Sequence, residues 1–180
     1  MPFSATIDRF DARADAQVDR LRGNPIADRV FYAASTAGDH GALWIVLGVV
    51  RYVTGVGGDV AAHYAGIRAV CAELFQSFVV NIGIKSLFRR QRPVVQTARP
   101  YHLRVPRTTS FPSGHATASF CAAVVLSQGT SWAPVLFPLA MVVAFSRAYV
   151  RIHHASDVLG GIVIGLAIGI GIAHLFPLPS

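Results

Sequence analysis

Charge is what this sequence lacks most. Asp, Glu, Lys and Arg make up 14% of its 180 residues, against roughly 25% in an ordinary soluble domain. A chain so poor in charge has too few polar groups to coat a water-exposed surface. Hydrophobic residues make up 53% and the mean hydropathy is +0.48, so burial in a bilayer is the simplest solution. Carboxylates are scarcer still, nine in all. Magnesium sites rest on carboxylates, so neither a metal nor another cofactor is expected. Cysteine is nearly absent: Cys71 and Cys121 both sit in apolar segments and are read as buried free thiols. No secretory leader is expected either. The first 25 residues include Asp8, Asp11, Asp15 and Asp19, which does not fit a basic start followed by an apolar core.

The charge that is present is basic. The formal net charge is +7 and the isoelectric point about 10.3, which suits nucleic acid, anionic lipid or a phosphate-bearing substrate. The apolar runs leave little soluble surface to hold a duplex, so nucleic acid is not expected as a partner. The bilayer and a membrane lipid phosphate are.

The chain reads as one all-α domain, residues 1–180, a polytopic bundle of membrane-spanning helices. In residues 1–25, Phe3, Ile7, Phe10, Ala14, Val18 and Leu21 recur at helical spacing on one face. This amphipathic helix lies on the membrane or packs against the bundle, in an anchoring role. A spanning helix needs roughly 20 residues. Five apolar segments follow, at about Arg29–Tyr52, Gly66–Phe88, His115–Gln128, Trp132–Val150 and Asp157–Phe176. Gly38-Asp39-His40-Gly41 interrupts the first; a split there would give six helices, and five are expected. In the second, Glu73, Ser77, Asn81 and Lys85 form a polar stripe that should face the bundle interior, with Ser77 and Asn81 bonding between helices. In the fifth, Gly161, Gly165 and Gly169 admit a close neighbouring helix. The one long polar connection, 89–110, carries Arg89, Arg90, Arg92, Arg99, Arg104 and Arg107.

Three clusters carry chemistry: Lys85 with Arg92-Pro93; Pro112-Ser113-Gly114-His115; and Ser146-Arg147 with His153 and Asp157. Lys85, Arg92 and Arg147 offer the cationic donors a phosphoryl group needs. Ser113 and Gly114 stand at a helix start, where free backbone N–H groups seat a phosphate. His153 and Asp157, four residues apart where the fifth helix begins, share a face. The carboxylate can keep one imidazole nitrogen protonated and leave the other free to attack phosphorus. His115 can protonate the leaving oxygen. Alternating the helices across the membrane brings all three clusters, 85–157, to one face. Arg89, Arg90 and Arg151 are read as snorkelling anchors; His40, His63, His102 and His174 are read as non-catalytic. His154 turns about 100° away from its neighbour on a helix and is set aside.

Together the clusters resemble the complete signature of the type 2 phosphatidic acid phosphatase family, which also includes vanadium haloperoxidases. The resemblance implies an α-helical membrane phosphatase that works without a metal. His153 would form a phosphohistidine, Asp157 would orient it and His115 would be the general acid. Lys85, Arg92, Ser113, Gly114 and Arg147 would bind the phosphoryl oxygens. Polyprenyl diphosphate leads as substrate; phosphatidate-like lipids, phosphatidylglycerophosphate and polyprenyl-phosphate sugar phosphates are alternatives. A vanadate-dependent haloperoxidase and a non-catalytic lipid-binding or transport protein are the rival functions. The family favours an extracytoplasmic site. Charge favours the cytoplasmic side, since all but Arg51 and Arg68 of the sixteen Lys and Arg residues map to the site's face. The oligomeric state is not legible.

Overall fold

The computed structural model describes residues 5–55, 58–93, 101 and 108–179. Phe3, His102 and the loop residues Arg99, Arg104 and Arg107 lie outside the described residues. Among the described residues there are seven α-helices and no strand. They are α1 (Ala5–Asp19), α2 (Pro25–Ala37), α3 (Ala42–Gly55), α4 (Val60–Phe78), α5 (Gly114–Ser127), α6 (Ala133–Tyr149) and α7 (Ala155–Leu175).

The first apolar segment is split. Asn24 caps α2 by accepting from the Ile26 and Ala27 N–H groups, with Pro25 in the first turn, where a missing N–H costs nothing. The helix stops at Gly38, and a 3-10 turn, Asp39–Gly41, leads into α3. His40 and Gly41 turn left-handed there, at φ 56° and 70°, and the chain bends by 59°. Asp59 caps α4 through the Ala62 N–H. Beyond Phe78 the helix widens into a π turn, Val79–Gly83, and tightens into a 3-10 turn, Ile84–Leu87.

All five apolar segments fold as helices, the first of them broken at Gly38, but they differ in length. Among the described residues only Val60–Leu87 and α7 are long and apolar enough alone, and the bent α2–α3 pair would make a third. α5 has 14 residues, about 21 Å at the α-helical rise, short of a hydrocarbon core of roughly 30 Å. The reason is its central position. Every residue from Ala116 to Ala123 is buried, and α4, α6 and α7 all pack on it. The glycine stripe of α7 makes the closest of these contacts. A Cβ at Gly161 would lie 2.6 Å from the Ser113 carbonyl oxygen, and one at Gly165 2.4 Å from that of Thr117. Cys121 is buried as expected, but Cys71 is exposed on the outside of α4, against its reading as a buried thiol.

α1 does not lie free on a membrane surface; it packs against the ends of α6 and α7. Arg22, just beyond it, donates to the carbonyls of Tyr149 and Ala148 at 2.8 and 2.9 Å. Arg151 does not snorkel: it pairs with Asp19 at 2.7 Å and Asp15 at 3.4 Å. At the opposite end Arg68 donates to the Phe176 and Val125 carbonyls at 2.7 and 3.2 Å, placing a cation where the α5 and α7 dipoles end negative.

Candidate active site

A cavity of about 730 Å³ opens beside the α2–α3 break and the starts of α5 and α7, and Lys85, Arg92, Gly114, His115, Arg147 and His153 line it. Asp157 lies behind His153. Ser113 does not face the cavity; its hydroxyl accepts from the Ala116 N–H and caps α5.

His153 is 3% exposed. It precedes the helix: α7 begins at Ala155 with His154 as its N-cap. The pair does not meet along a helical face, as the four-residue spacing suggested. It meets because Asp157, in the first turn, reaches back and accepts the His154 N–H at 2.8 Å, as helix-capping carboxylates do. Arg92 Nη1 lies 3.0 Å from His153 Nε2. A guanidinium only donates, so Nε2 accepts and is unprotonated, and the proton sits on Nδ1. Nδ1 faces Asp157 Oδ2 at 3.7 Å, an approach longer than a hydrogen bond. Burial pushes the His153 pKa down to about 3; Asp157 opposes that shift, and the charges of Arg92 and Arg147 add to it. The imidazole is therefore neutral at neutral pH, with its lone pair on Nε2.

Asp157 is wholly buried. Its Oδ2 also accepts from Ser110 Oγ at 2.5 Å, and its Oδ1 from Arg90 Nη1 at 2.5 Å. Arg90 is thus no snorkelling anchor. Its other terminal nitrogen bonds Asp11 Oδ2 at 2.5 Å. A guanidinium held between two buried carboxylates gains more there than at the membrane surface.

Arg92 is braced by the carbonyls of Thr108, Thr109 and Ile152, each at 3.0 Å. Burial lowers its pKa to about 10, which leaves it charged at neutral pH. Lys85 donates to Asn81 Oδ1 at 2.9 Å, and Asn81 donates to Ser77 Oγ at 3.1 Å. The stripe residues Ser77 and Asn81 therefore bond within their own helix instead of between helices, and they line the cavity. A Cβ at position 114 would sit 3.6 Å from Lys85 Nζ. The first-turn N–H groups of Gly114 and His115 have no partner inside the helix, as at any helix start, and so can seat an anion. Arg147, 1% exposed, donates to Ser35 Oγ.

His115 meets residues the sequence reading missed. Its Nε2 lies 3.0 Å from Asp39 Oδ1 and 3.2 Å from the Ser35 carbonyl oxygen. The last turn of α2 supplies Ser35 and the α2–α3 break supplies Asp39, and Gly38 at the break has no room for a side chain: a Cβ there would lie 2.7 Å from His115 Cδ2. The signal was visible, since a carboxylate inside an apolar run marks a functional position by default. Asp39, Glu73, Gln76 and Ser77 also line the cavity. Among the described residues no three His, Cys, Asp or Glu side chains form a metal-ligating group.

Residues 65–178 match the model of the PAP2 superfamily. Over 141 residues the chain is 33% identical to decaprenylphosphoryl-5-phosphoribose phosphatase of Mycolicibacterium smegmatis, covering 78% of this chain and 74% of that one. The protein of the same name from Mycobacterium tuberculosis is 35% identical over 98 residues, 54% of each chain. Undecaprenyl-diphosphatase BcrC of Bacillus subtilis is 32% identical over 111 residues, 59% of this chain and 53% of that one. The match thus spans about half the length of these last two relatives. Among solved structures, a transmembrane PAP2-type phosphatidylglycerolphosphate phosphatase from Bacillus subtilis superposes with a TM-score of 0.69, covering 96% of this chain and 87% of that one. At 20% identity that likeness concerns the fold. Asp11, Ser35 and Asp39 precede the matched segment.

Proposed function

The chain belongs to the PAP2 superfamily, and from that premise we propose that it hydrolyses the terminal phosphate of a polyprenyl-linked membrane lipid through a phosphohistidine. The observation that carries this reading is a neutral, buried His153 whose Nε2 stands at a cavity lined by Lys85, Arg92 and Arg147. An incoming phosphoryl group takes over the Arg92 donor and leaves the Nε2 lone pair facing phosphorus. The N–P bond forms, the P–O bond to the lipid breaks, and His115 gives a proton to the departing oxygen. Water then attacks the phosphohistidine, returns a proton to His115 and frees inorganic phosphate. Lys85, Arg92, Arg147 and the α5 start hold the charge that develops on the phosphoryl oxygens.

Two lipids fit this class. The arginine-rich 89–107 stretch favours a polyprenyl diphosphate, which brings a second phosphate. The cavity wall of Asp39, Glu73, Gln76 and Ser77 favours a polyprenyl-phosphoryl sugar phosphate, because carboxylates and amides suit hydroxyl groups better than a second anion. We place the sugar-bearing lipid first. The test is phosphate release from a panel of purified lipids in detergent, with excess chelator present. Expected are turnover that persists in chelator, inhibition by vanadate, whose bonded form mimics the transferring phosphoryl group, and preference for polyprenyl-linked lipids. Preference for water-soluble sugar phosphates over every lipid, or a strict magnesium requirement, would contradict the proposal. Peroxide-dependent halide oxidation with vanadate and no phosphate release would favour the haloperoxidase reading.

For the face of the membrane we follow the charge bias and place the site toward the cytoplasm. A cysteine at Ala98, with Cys71 and Cys121 replaced, should react with an impermeant reagent only after cells are permeabilised. Labelling in intact cells would put the site outside.

A further inference from the structure

The N-terminal helix reaches the back of the candidate site. Asp11, 6% exposed, accepts from Arg90 Nη2 at 2.5 Å and Ser156 Oγ at 2.7 Å through Oδ2, and from the Ser156 N–H at 2.8 Å through Oδ1. Arg90 Nη1 reaches on to Asp157 Oδ1 at 2.5 Å and to Ser156 Oγ at 2.7 Å. One guanidinium therefore joins a carboxylate on α1 to the carboxylate behind His153. A crevice of about 260 Å³ lies between α1 and the start of α7, and Asp11, Arg90 and His153 all border it.

We propose that α1 is a positioning element of the active site: Asp11, acting through Arg90, holds the Asp157 carboxylate in the orientation that keeps the Nδ1 proton of His153 in place. This rests on the histidine mechanism proposed above. Asp157 has two oxygens to aim and only one faces Nδ1. Arg90 fixes the other, so a rotation of the carboxylate breaks a short charge-assisted bond. Arg90 is fixed in turn by Asp11. Without Asp11 the fork loses one tine, and Arg90 no longer holds Asp157 Oδ1 in one geometry while Oδ2 stays on Ser110 and the His154 N–H. Lysine cannot replace arginine here, because a single ammonium does not span two carboxylates in a planar fork. Asp11 lies outside the segment that matches the family model, residues 65–178.

A tether that merely docks α1 would predict lost stability with normal chemistry in the protein that stays folded. The test separates the two by steady-state kinetics of the full chain in detergent. Asp11→Asn keeps the size and the acceptor oxygen but removes the charge. It should lower kcat by about 10- to 100-fold, the scale of a misplaced reacting group, with KM within about threefold. In an Asp157→Asn background the same change should cost less than about twofold more, because residues that act through one another are not additive. Arg90→Lys should reproduce the kcat loss, and it decides the matter should Asp11→Asn not survive purification. Wild-type kcat in the folded variant, or an undiminished loss in the Asp157→Asn background, overturns the proposal. Activity in His153→Ala would instead sink the mechanism itself, whereas an inactive His153→Ala beside a fully active Asp11→Asn would sink only the role of α1.

Discussion

His153→Ala should lower kcat by about 10⁵-fold or more, the cost of deleting the nucleophile of a covalent mechanism, while the protein still inserts and folds. The imidazole makes few bonds that the fold depends on. Nδ1 is buried without a hydrogen-bond partner, and Nε2 is shared with Arg92, which three carbonyls also brace. Asp157→Asn should be less severe, roughly 10⁴-fold at most, since the nucleophile remains and only its orientation and proton are disturbed. Phosphate release from radiolabelled lipid, with thermal unfolding in detergent as the folding control, measures both; near-normal release by His153→Ala ends the proposal. Folding supplies an independent check. The folded pKa of His153 is depressed to about 3, against about 6.5 in an unfolded chain. Between those values the unfolded chain binds a proton that the folded one refuses, so stability rises with pH across that window. The contribution is fully present above about pH 6.5 and is lost as pH falls toward 3. His153→Ala removes that stretch of acid sensitivity, and its unfolding temperature should fall less than wild type's on acidification.

The three clusters were legible because each is short and chemically specific, and because counting helices through the membrane was enough to bring them to one end. What the sequence hid were the partners that hold them. Asp39 sits in an interruption of an apolar run, where it reads as a helix breaker, and nothing local ties it to His115, 76 residues away. Arg90 looked like one more loop arginine. Its two carboxylates come from α1 and α7, separated from it by 79 and 67 residues. Such pairings are set by packing in three dimensions, and a one-dimensional pattern of charge carries no trace of them. The length of α5 is likewise a matter of packing. Hydropathy measures how well a residue suits lipid, but α5 is surrounded by protein, so its length is set by its neighbours. The Gly161, Gly165 and Gly169 stripe succeeded because its message is steric and needs no partner identity.

His115→Asn should lose activity by an amount that depends on the lipid, and the dependence identifies both the residue's role and the substrate. Nε2 of His115 faces two acceptors, Asp39 Oδ1 and the Ser35 carbonyl, so that nitrogen carries a proton. The transferable proton is the one on Nδ1, present when the ring is an imidazolium. Burial and the Arg147 charge oppose that state and Asp39 favours it; a phosphate dianion seated among Lys85, Arg92 and Arg147 shifts the balance toward it. A general acid contributes about 10²–10⁴-fold, and it contributes most where the departing oxygen is a poor leaving group. A sugar 5-phosphate expels a sugar alkoxide, which must be protonated as it leaves. A diphosphate expels a phosphate ester, which already leaves as a stable anion. On a polyprenyl-phosphoryl sugar phosphate the variant should therefore fall by about 10³-fold, and on a polyprenyl diphosphate by about tenfold. Asp39→Asn should move in the same direction on both lipids, by less, because it removes the charge that favours the imidazolium and leaves the ring in place. Equal losses on the two lipids would mean that His115 binds the phosphoryl group instead of protonating the leaving oxygen. A larger loss on the diphosphate would reverse the assignment of the acid altogether.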